Sequence, residues 1–407
     1  MNKVIKNLSY VFLANISNAI SKFLFIILIS KFLTNVELGQ YTLALAVTAP
    51  ITLLFNMKLR SYIISEDKVN YIHLKKIRNI TNFIAMIIII IVSLTFYIEF
   101  FLVFILVATI KVLEMNSEFY QGFPNKEKLF KTPAKLMVLR TVSITLIFGV
   151  YIYETKSLIL ALIAQCILQF IILLFEKKIN MGLVSHKKYK EQKNIKAILL
   201  TIIPLGIVQF LMSFSSSIPK YILNDFSDIE VIGIFSGIIY LITIVNLFMS
   251  TLNQTLLPYI KSKYKKNKRE FNKTINVYCN ALFLIISVLL AIASHIFGEN
   301  LLRIIFNEGF VKYKFLLVIS SFIIFFNMSG WMYDSGLLIA KKIKYQPLFL
   351  VISMIVTFVL GLYLIEKYML FGAGYTLLIF NFLNTGFKAL YFNLNNFKSK
   401  RKEGGIY

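Results

Sequence analysis

The chain is poor in nearly everything that a soluble protein or an enzyme is built with. Only 15% of its 407 residues are charged, and carboxylates are the scarcer sign, with 19 Asp and Glu against 44 Lys and Arg. There are two cysteines, Cys166 and Cys279, both inside apolar runs. No disulfide framework is implied, and nothing follows about redox compartment. The three histidines, His73, His186 and His295, fall in loops, and no His/Cys cluster has the spacing of a metal site. A glycine-rich loop ending in Lys-Ser or Lys-Thr is missing, which excludes an internal ATPase. No cofactor, metal centre or catalytic set is expected, and the chain does not read as an enzyme.

What it has in abundance is apolar sequence. Hydrophobic residues make up 58% of the chain and the mean hydropathy is +0.74. The apolar runs are close to the roughly 20 residues that a membrane helix needs. They are continuous, unlike the alternating segments of about ten residues that build an outer-membrane barrel. Spans are expected near 8–33, 41–57, 80–98, 100–119, 136–153 and 157–175, then 197–223, 231–256, 274–294, 315–338, 347–365 and 371–392. The fold class is therefore an all-α polytopic membrane protein of about twelve helices. Met1–Asn7 looks like a signal-peptide n-region, but the run after it is too long and too polar at its centre, so an uncleaved first span is expected.

The formal net charge of +25 suggests nucleic acid until its distribution is read. Most lysines lie in alternate connections: Lys58–Arg78, Lys126–Lys135, Lys177–Lys196, Lys261–Lys273, Lys341–Lys344 and the tail Lys398–Lys402. The opposite connections are nearly free of positive charge except His295–Lys314. That is the positive-inside pattern, and it places both termini in the cytoplasm. The partner of these lysines is a bilayer with anionic headgroups, not nucleic acid. The basic stretch 177–196 separates an N-terminal lobe, 1–176, from a C-terminal lobe, 197–392, followed by a basic tail, 393–407. Both lobes start on the same side, which allows a parallel repeat about a pseudo-two-fold axis along the membrane normal.

The first span carries Asn15, Asn18 and Lys22 at i, i+3 and i+7, one stripe of a helix. A lysine near the middle of a membrane helix costs roughly 2.5–3.5 kcal/mol unless it meets water or a counter-charge. The seventh span repeats the pattern with Ser213, Ser216 and Lys220. Each lysine is followed by an aromatic, Phe23 or Tyr221, and each span leads to Gly-x-aromatic, Gly39-Gln40-Tyr41 or Gly233-Ile234-Phe235.

Four stretches carry a resemblance to a known family: LISKFLTNVELGQYTLALAVTAPI, LRSYIISED, SIPKYILNDFSDIEVIGIFSGIIYLITIVNLFMSTLNQTLLPYIKSKY and FGENLLRIIFNEGF. In this order and spacing the chain resembles the Wzx-type O-antigen and polysaccharide flippases of the multidrug/oligosaccharidyl-lipid/polysaccharide exporter superfamily. The resemblance implies a multi-pass protein of the bacterial cytoplasmic (inner) membrane. Its substrate would be a polyprenyl-pyrophosphate-linked oligosaccharide, an O-antigen or capsular repeat unit, moved to the outer leaflet by alternating access. Other polysaccharide assembly proteins would be partners.

Such a substrate needs cations to replace phosphate hydration and polar groups to meet sugars. Lys22, Arg140 and Lys220 are the candidates for pyrophosphate. Arginine grips phosphate with a planar fork, and the chain has only six. Asn15, Asn18, Gln209, Ser213, Ser216 and Asn253 are candidates for sugar. Glu114, Glu118 and Asp334 are candidates for ion coupling or charge pairing; Lys111 and Glu114 also stand at i, i+3, the spacing of a local ion pair. Two alternatives stay open. A drug or cation exporter of the same superfamily favours a carboxylate-rich cavity. A membrane glycan polymerase or ligase needs a sizeable outer loop, and the outer loops here are short.

Overall fold

The computed structural model describes residues 2–67, 69–184 and 194–403, with side chains except at 2–8, 244, 246–259, 265 and 395–403. Among the described residues there is no strand. The helices are α1 (Asn2–Phe32), α2 (Asn35–Asn56), α3 (Leu59–Ser65), α4 (Tyr71–Phe96), α5 (Phe101–Lys126), α6 (Lys131–Thr155) and α7 (Leu158–Gly182), followed by α8 (Ile195–Phe226) and α9 (Ile229–Lys266). Then come α10 (Lys268–Lys273), α11 (Asn280–Ile305), α12 (Glu308–Val311), α13 (Phe315–Ile339) and α14 (Gln346–Glu403). A π-helical stretch, Thr274–Cys279, joins α10 to α11.

Nine helices among the described residues are long and apolar enough to cross a membrane. Three features separate this number from the expected twelve. The charges of Lys111, Glu114 and Glu118 interrupt the apolar run of α5. Part of α9 lies outside the described side chains. α14 counts once, although its helical geometry breaks at Met369, with φ 49° and ψ −123°. The break falls between the two expected spans. On either side of it Gly361 meets Thr376, whose Cγ2 would stand 2.9 Å from a Cβ on the glycine. The two halves of α14 therefore run back along each other. At the bend a Cβ on Gly372 would collide with the Leu364 carbonyl, so only glycine fits there.

Side chains set several helix starts. Thr34 caps α2 in a capping box: its hydroxyl accepts from the Glu37 N–H at 3.2 Å, and the Glu37 carboxylate accepts from the Thr34 N–H at 3.0 Å. The outer turn expected over 34–40 is thus mostly the first turns of α2. Asn70 caps α4, accepting from Ile72 N–H and His73 N–H. The basic stretch after span eight is helical too, through Lys266.

Polarity is reversed relative to a soluble protein. In α4 the packed face is Leu74, Ile77, Arg78, Thr81, Ala85, Ile89 and Ser93, at helical spacing. Its outward face is apolar, with Ile80, Phe83, Ile84, Ile87, Ile91 and Leu94 exposed. Lipid tails match such a surface, so packing and interhelical hydrogen bonds hold the bundle together. The chain is a multi-pass membrane protein.

Two compact units divide at Ser217/Ile218, inside α8 rather than in the basic stretch 177–196. The reason is local packing. The start of α8 buries Ile198 and Ile202 in a cluster with Leu59, Ile63, Phe119 and Phe123, whereas Ile222 meets Gly361. Within the first unit α5 is central and touches α2, α3, α4 and α7, while α6 packs on α1 and α7. Within the second, α13 is central and touches α9, α11 and α14. Each is the fourth long helix of its half. Two of the three positive charges that broke the loop pattern are neutralised locally: Arg303 pairs with Glu308 at 2.8 Å and Lys314 with Glu299 at 2.5 Å.

Candidate functional site

Most of the charge inside the first unit converges on α5. Lys22 on α1 stands 3.6 Å from Glu114 Oε2, and Lys111 stands 3.1 Å from the same oxygen. Two ammonium groups share one carboxylate, which leaves this triad one positive charge in excess. All three side chains keep partial access, with 16–33% of their surface exposed. One turn further along α5, Asn56 at the end of α2 donates from Nδ2 to Glu118 Oε2 at 3.0 Å. Asn56 in turn accepts from Arg78 Nη2 at its carbonyl (2.9 Å) and at Oδ1 (3.1 Å). Arg78 is wholly buried. The carbonyl it grips is the last of α2, where a cation complements the helix dipole.

Arg140 is committed in a different way. Its Nη1 donates to Glu176 Oε2 at 3.1 Å and Oε1 at 3.3 Å. Arg140 is 5% exposed and Glu176 fully buried, and the Ser117 hydroxyl donates to the same carboxylate. This pair is electrically closed. Glu176, the last residue before the basic stretch 177–196, belongs to the buried face of α7. It follows the apolar run Ile171–Phe175 and precedes two lysines, so nothing local marks its burial.

In the second unit Asp334 on α13 accepts from Lys388 Nζ at 2.8 Å and from Gln346 Nε2 at 2.9 Å. This carboxylate is held by α14, not by the nearby loop lysine Lys341. Lys388, inside the expected span 371–392, is itself buried. At the π-helical stretch Asn280, Tyr333, Asn276 and Asn393 are joined in one chain of side-chain hydrogen bonds. Asn280 also donates to the carbonyls of Ile275 and Asn276, which the wider turn leaves available. Lys220 on α8 is half-buried and has no hydrogen-bond or ion-pair partner among the described residues.

The sugar candidates scatter. Asn15 is exposed and lines a cleft with Arg60, Gln121 and Asn125, a cavity of about 10 Å³ with room for one water. Asn18 is half-buried. Their neighbours Ser17 and Ser21 turn to α6 instead, bonding Thr141 (2.7 Å) and Thr145 (2.5 Å). Ser216 spends its hydroxyl on the Ser213 carbonyl of its own helix. Gln209 keeps a buried Oε1 without a partner. Asn253 lies outside the described side chains. Across both units the described interior thus holds Lys22, Lys111, Arg60, Arg78, Arg140, Lys220 and Lys388 against Glu114, Glu118, Glu176 and Asp334. Cations are in excess in each unit.

The family described as polysaccharide biosynthesis protein matches residues 4–264. The capsular polysaccharide biosynthesis protein CapF of Staphylococcus aureus is 29% identical over 396 residues, covering 93% of this chain and 97% of CapF. Among solved structures, an inward-facing multidrug resistance MATE family transporter of the MOP superfamily superposes with a TM-score of 0.73 at 12% identity, over 94% of this chain and 96% of that one. The lipid II flippase MurJ, in an inward closed conformation, gives 0.71 at 14% identity, over 94% and 86%. At these identities the two structures speak for the fold alone. Together with the family match they bear out the resemblance read from the sequence.

Proposed function

The chain belongs to the polysaccharide biosynthesis protein family, and we propose that it flips a polyprenyl-pyrophosphate-linked oligosaccharide from the cytoplasmic to the outer leaflet of a bacterial inner membrane by alternating access. The observation that carries this reading is the excess of buried cations. A doubly charged phosphate group cannot enter a low-dielectric interior unless fixed cations replace its water. Lys22 and Lys111, sharing Glu114, offer one such place, and Lys220, without an ionic partner among the described residues, offers another. In the empty protein Glu114 serves as the counter-ion that the phosphate displaces. Arg140, closed on Glu176, positions α6 against α7 and is a weaker candidate for substrate than the lysines.

The reverse polarity argues against a drug or cation exporter, which needs carboxylates left unneutralised in its interior. Each described interior carboxylate here has a hydrogen-bonded or ionic partner. CapF's named role in capsular polysaccharide biosynthesis supports a glycan as the cargo. The test is cellular. Deleting the protein should leave lipid-linked oligosaccharide on the inner leaflet, and the Lys22→Ala/Lys220→Ala variant, present at normal level, should not clear it. Full glycan export by that variant would refute the charge-based reading.

A further inference from the structure

We propose that the first turns of α4 bind one anionic phospholipid of the inner leaflet, its phosphate held by Lys75, Lys76 and Asn79. The proposal rests on the orientation adopted above, with the start of α4 at the cytoplasmic face, and not on the transported substrate. An open cleft of about 390 Å³ lies here, lined by Tyr71, Ile72, Lys75, Lys76, Asn79 and Ile80. Its polar lining is two ammonium groups, a phenol and an amide, with no carboxylate. The Lys75 ammonium is drawn over the Tyr71 ring, 5.9 Å from its centroid, which holds one cation at the rim. Arg78, one turn on, is turned away and spent on Asn56.

Local electrostatics point the same way. The first turn of α4 holds no acidic residue, so no carboxylate of that turn offsets the two lysines, and an anion seated between them relieves their mutual repulsion. The apolar half of a lipid is also accommodated. Above the lysines Ile80, Phe83, Ile84, Ile87 and Ile91 form one exposed stripe. From Ile80 to Ile91 the helix rises roughly 16 Å, about the depth of one leaflet. A headgroup seat continuous with an acyl-length stripe fits a glycerophospholipid, and charge selects an anionic one.

The full chain, purified in detergent, is titrated with phosphatidylglycerol or phosphatidylcholine, and bound lipid is counted by native mass spectrometry. Each lysine near the surface is worth about fivefold in affinity. Lys75→Gln/Lys76→Gln should therefore bind phosphatidylglycerol about 25-fold more weakly and phosphatidylcholine unchanged. Lys341→Gln/Lys342→Gln removes the same charge from another basic segment and should stay within about twofold of the parent. Lys75→Arg/Lys76→Arg should retain binding, which separates charge from folding. Equal losses in both glutamine pairs would overturn the site in favour of diffuse attraction. So would equal affinity for the two lipids, or displacement of phosphatidylglycerol by an equimolar polyprenyl phosphate. The readout is lipid binding alone, so it stands or falls separately from glycan export.

Discussion

Replacing Glu176 with glutamine should destabilise the first unit by about 3–5 kcal/mol, the cost of leaving a buried charge without its partner. The geometry sets that magnitude. Arg140 is 5% exposed and Glu176 is fully buried. Both carboxylate oxygens lie within 3.3 Å of Arg140 Nη1, and Ser117 adds a third bond. Water cannot compensate the guanidinium once the carboxylate is neutral. Arg140→Met alone should cost a similar amount, because the carboxylate is then stranded. Arg140→Met with Glu176→Leu removes both charges and should recover most of the loss, leaving about 1 kcal/mol for the unpaired Ser117 hydroxyl. Unfolding of the purified variants in a denaturing detergent series reads all three. Additive losses in the double variant would refute the closed-pair account. Glycan export by that same double variant decides the other question: export at the parent level removes Arg140 from the phosphate ligands.

Lys220→Ala breaks no hydrogen bond or ion pair among the described residues, so it should unfold close to the parent while glycan export falls at least tenfold; an unfolding shift in step with export would make its role structural. Glu114→Gln frees Lys22 and Lys111 of their shared counter-ion and should tighten binding of inorganic pyrophosphate, measured by isothermal titration; weaker binding would show the carboxylate is needed to hold the lysines in place. Gly372→Ala puts a Cβ into the Leu364 carbonyl, which the bend cannot move aside, and should cost about 3 kcal/mol, at the upper end for overpacking; a neutral effect on thermal unfolding would mean the hairpin of α14 is looser than its contacts imply.

Helix identity was legible from the sequence because the membrane imposes it: backbone groups without water must pair within their own segment. Boundaries were less so. The capping box at Thr34 draws 35–40 into α2, and the basic run after α9 stays helical because lysine is a good helix former once outside the lipid. The pairing of charges was the least legible part. Lys111 and Glu114 sit close in sequence and could be weighed by spacing alone. Arg140 and Glu176 are 36 residues apart and Asp334 and Lys388 are 54 apart. Nothing local marks such partners, since only the packing of α6 on α7 and of α13 on α14 brings them together.

Those distant pairs change how the duplicated polar stripes are to be read. Depth along the sequence puts Lys22 ahead of Arg140 and Lys220, which lie nearer the ends of their spans. Pairing ranks them. Arg140 is matched one to one by a carboxylate it cannot leave without stranding a buried ion. Lys22 shares its carboxylate with Lys111, so an arriving anion exchanges partners within a group that is already net positive. Lys220 has no described partner to give up. A phosphate therefore gains most at Lys220, less at Lys22 and least at Arg140. Variants of the three should lose export in that order while losing stability in the reverse one.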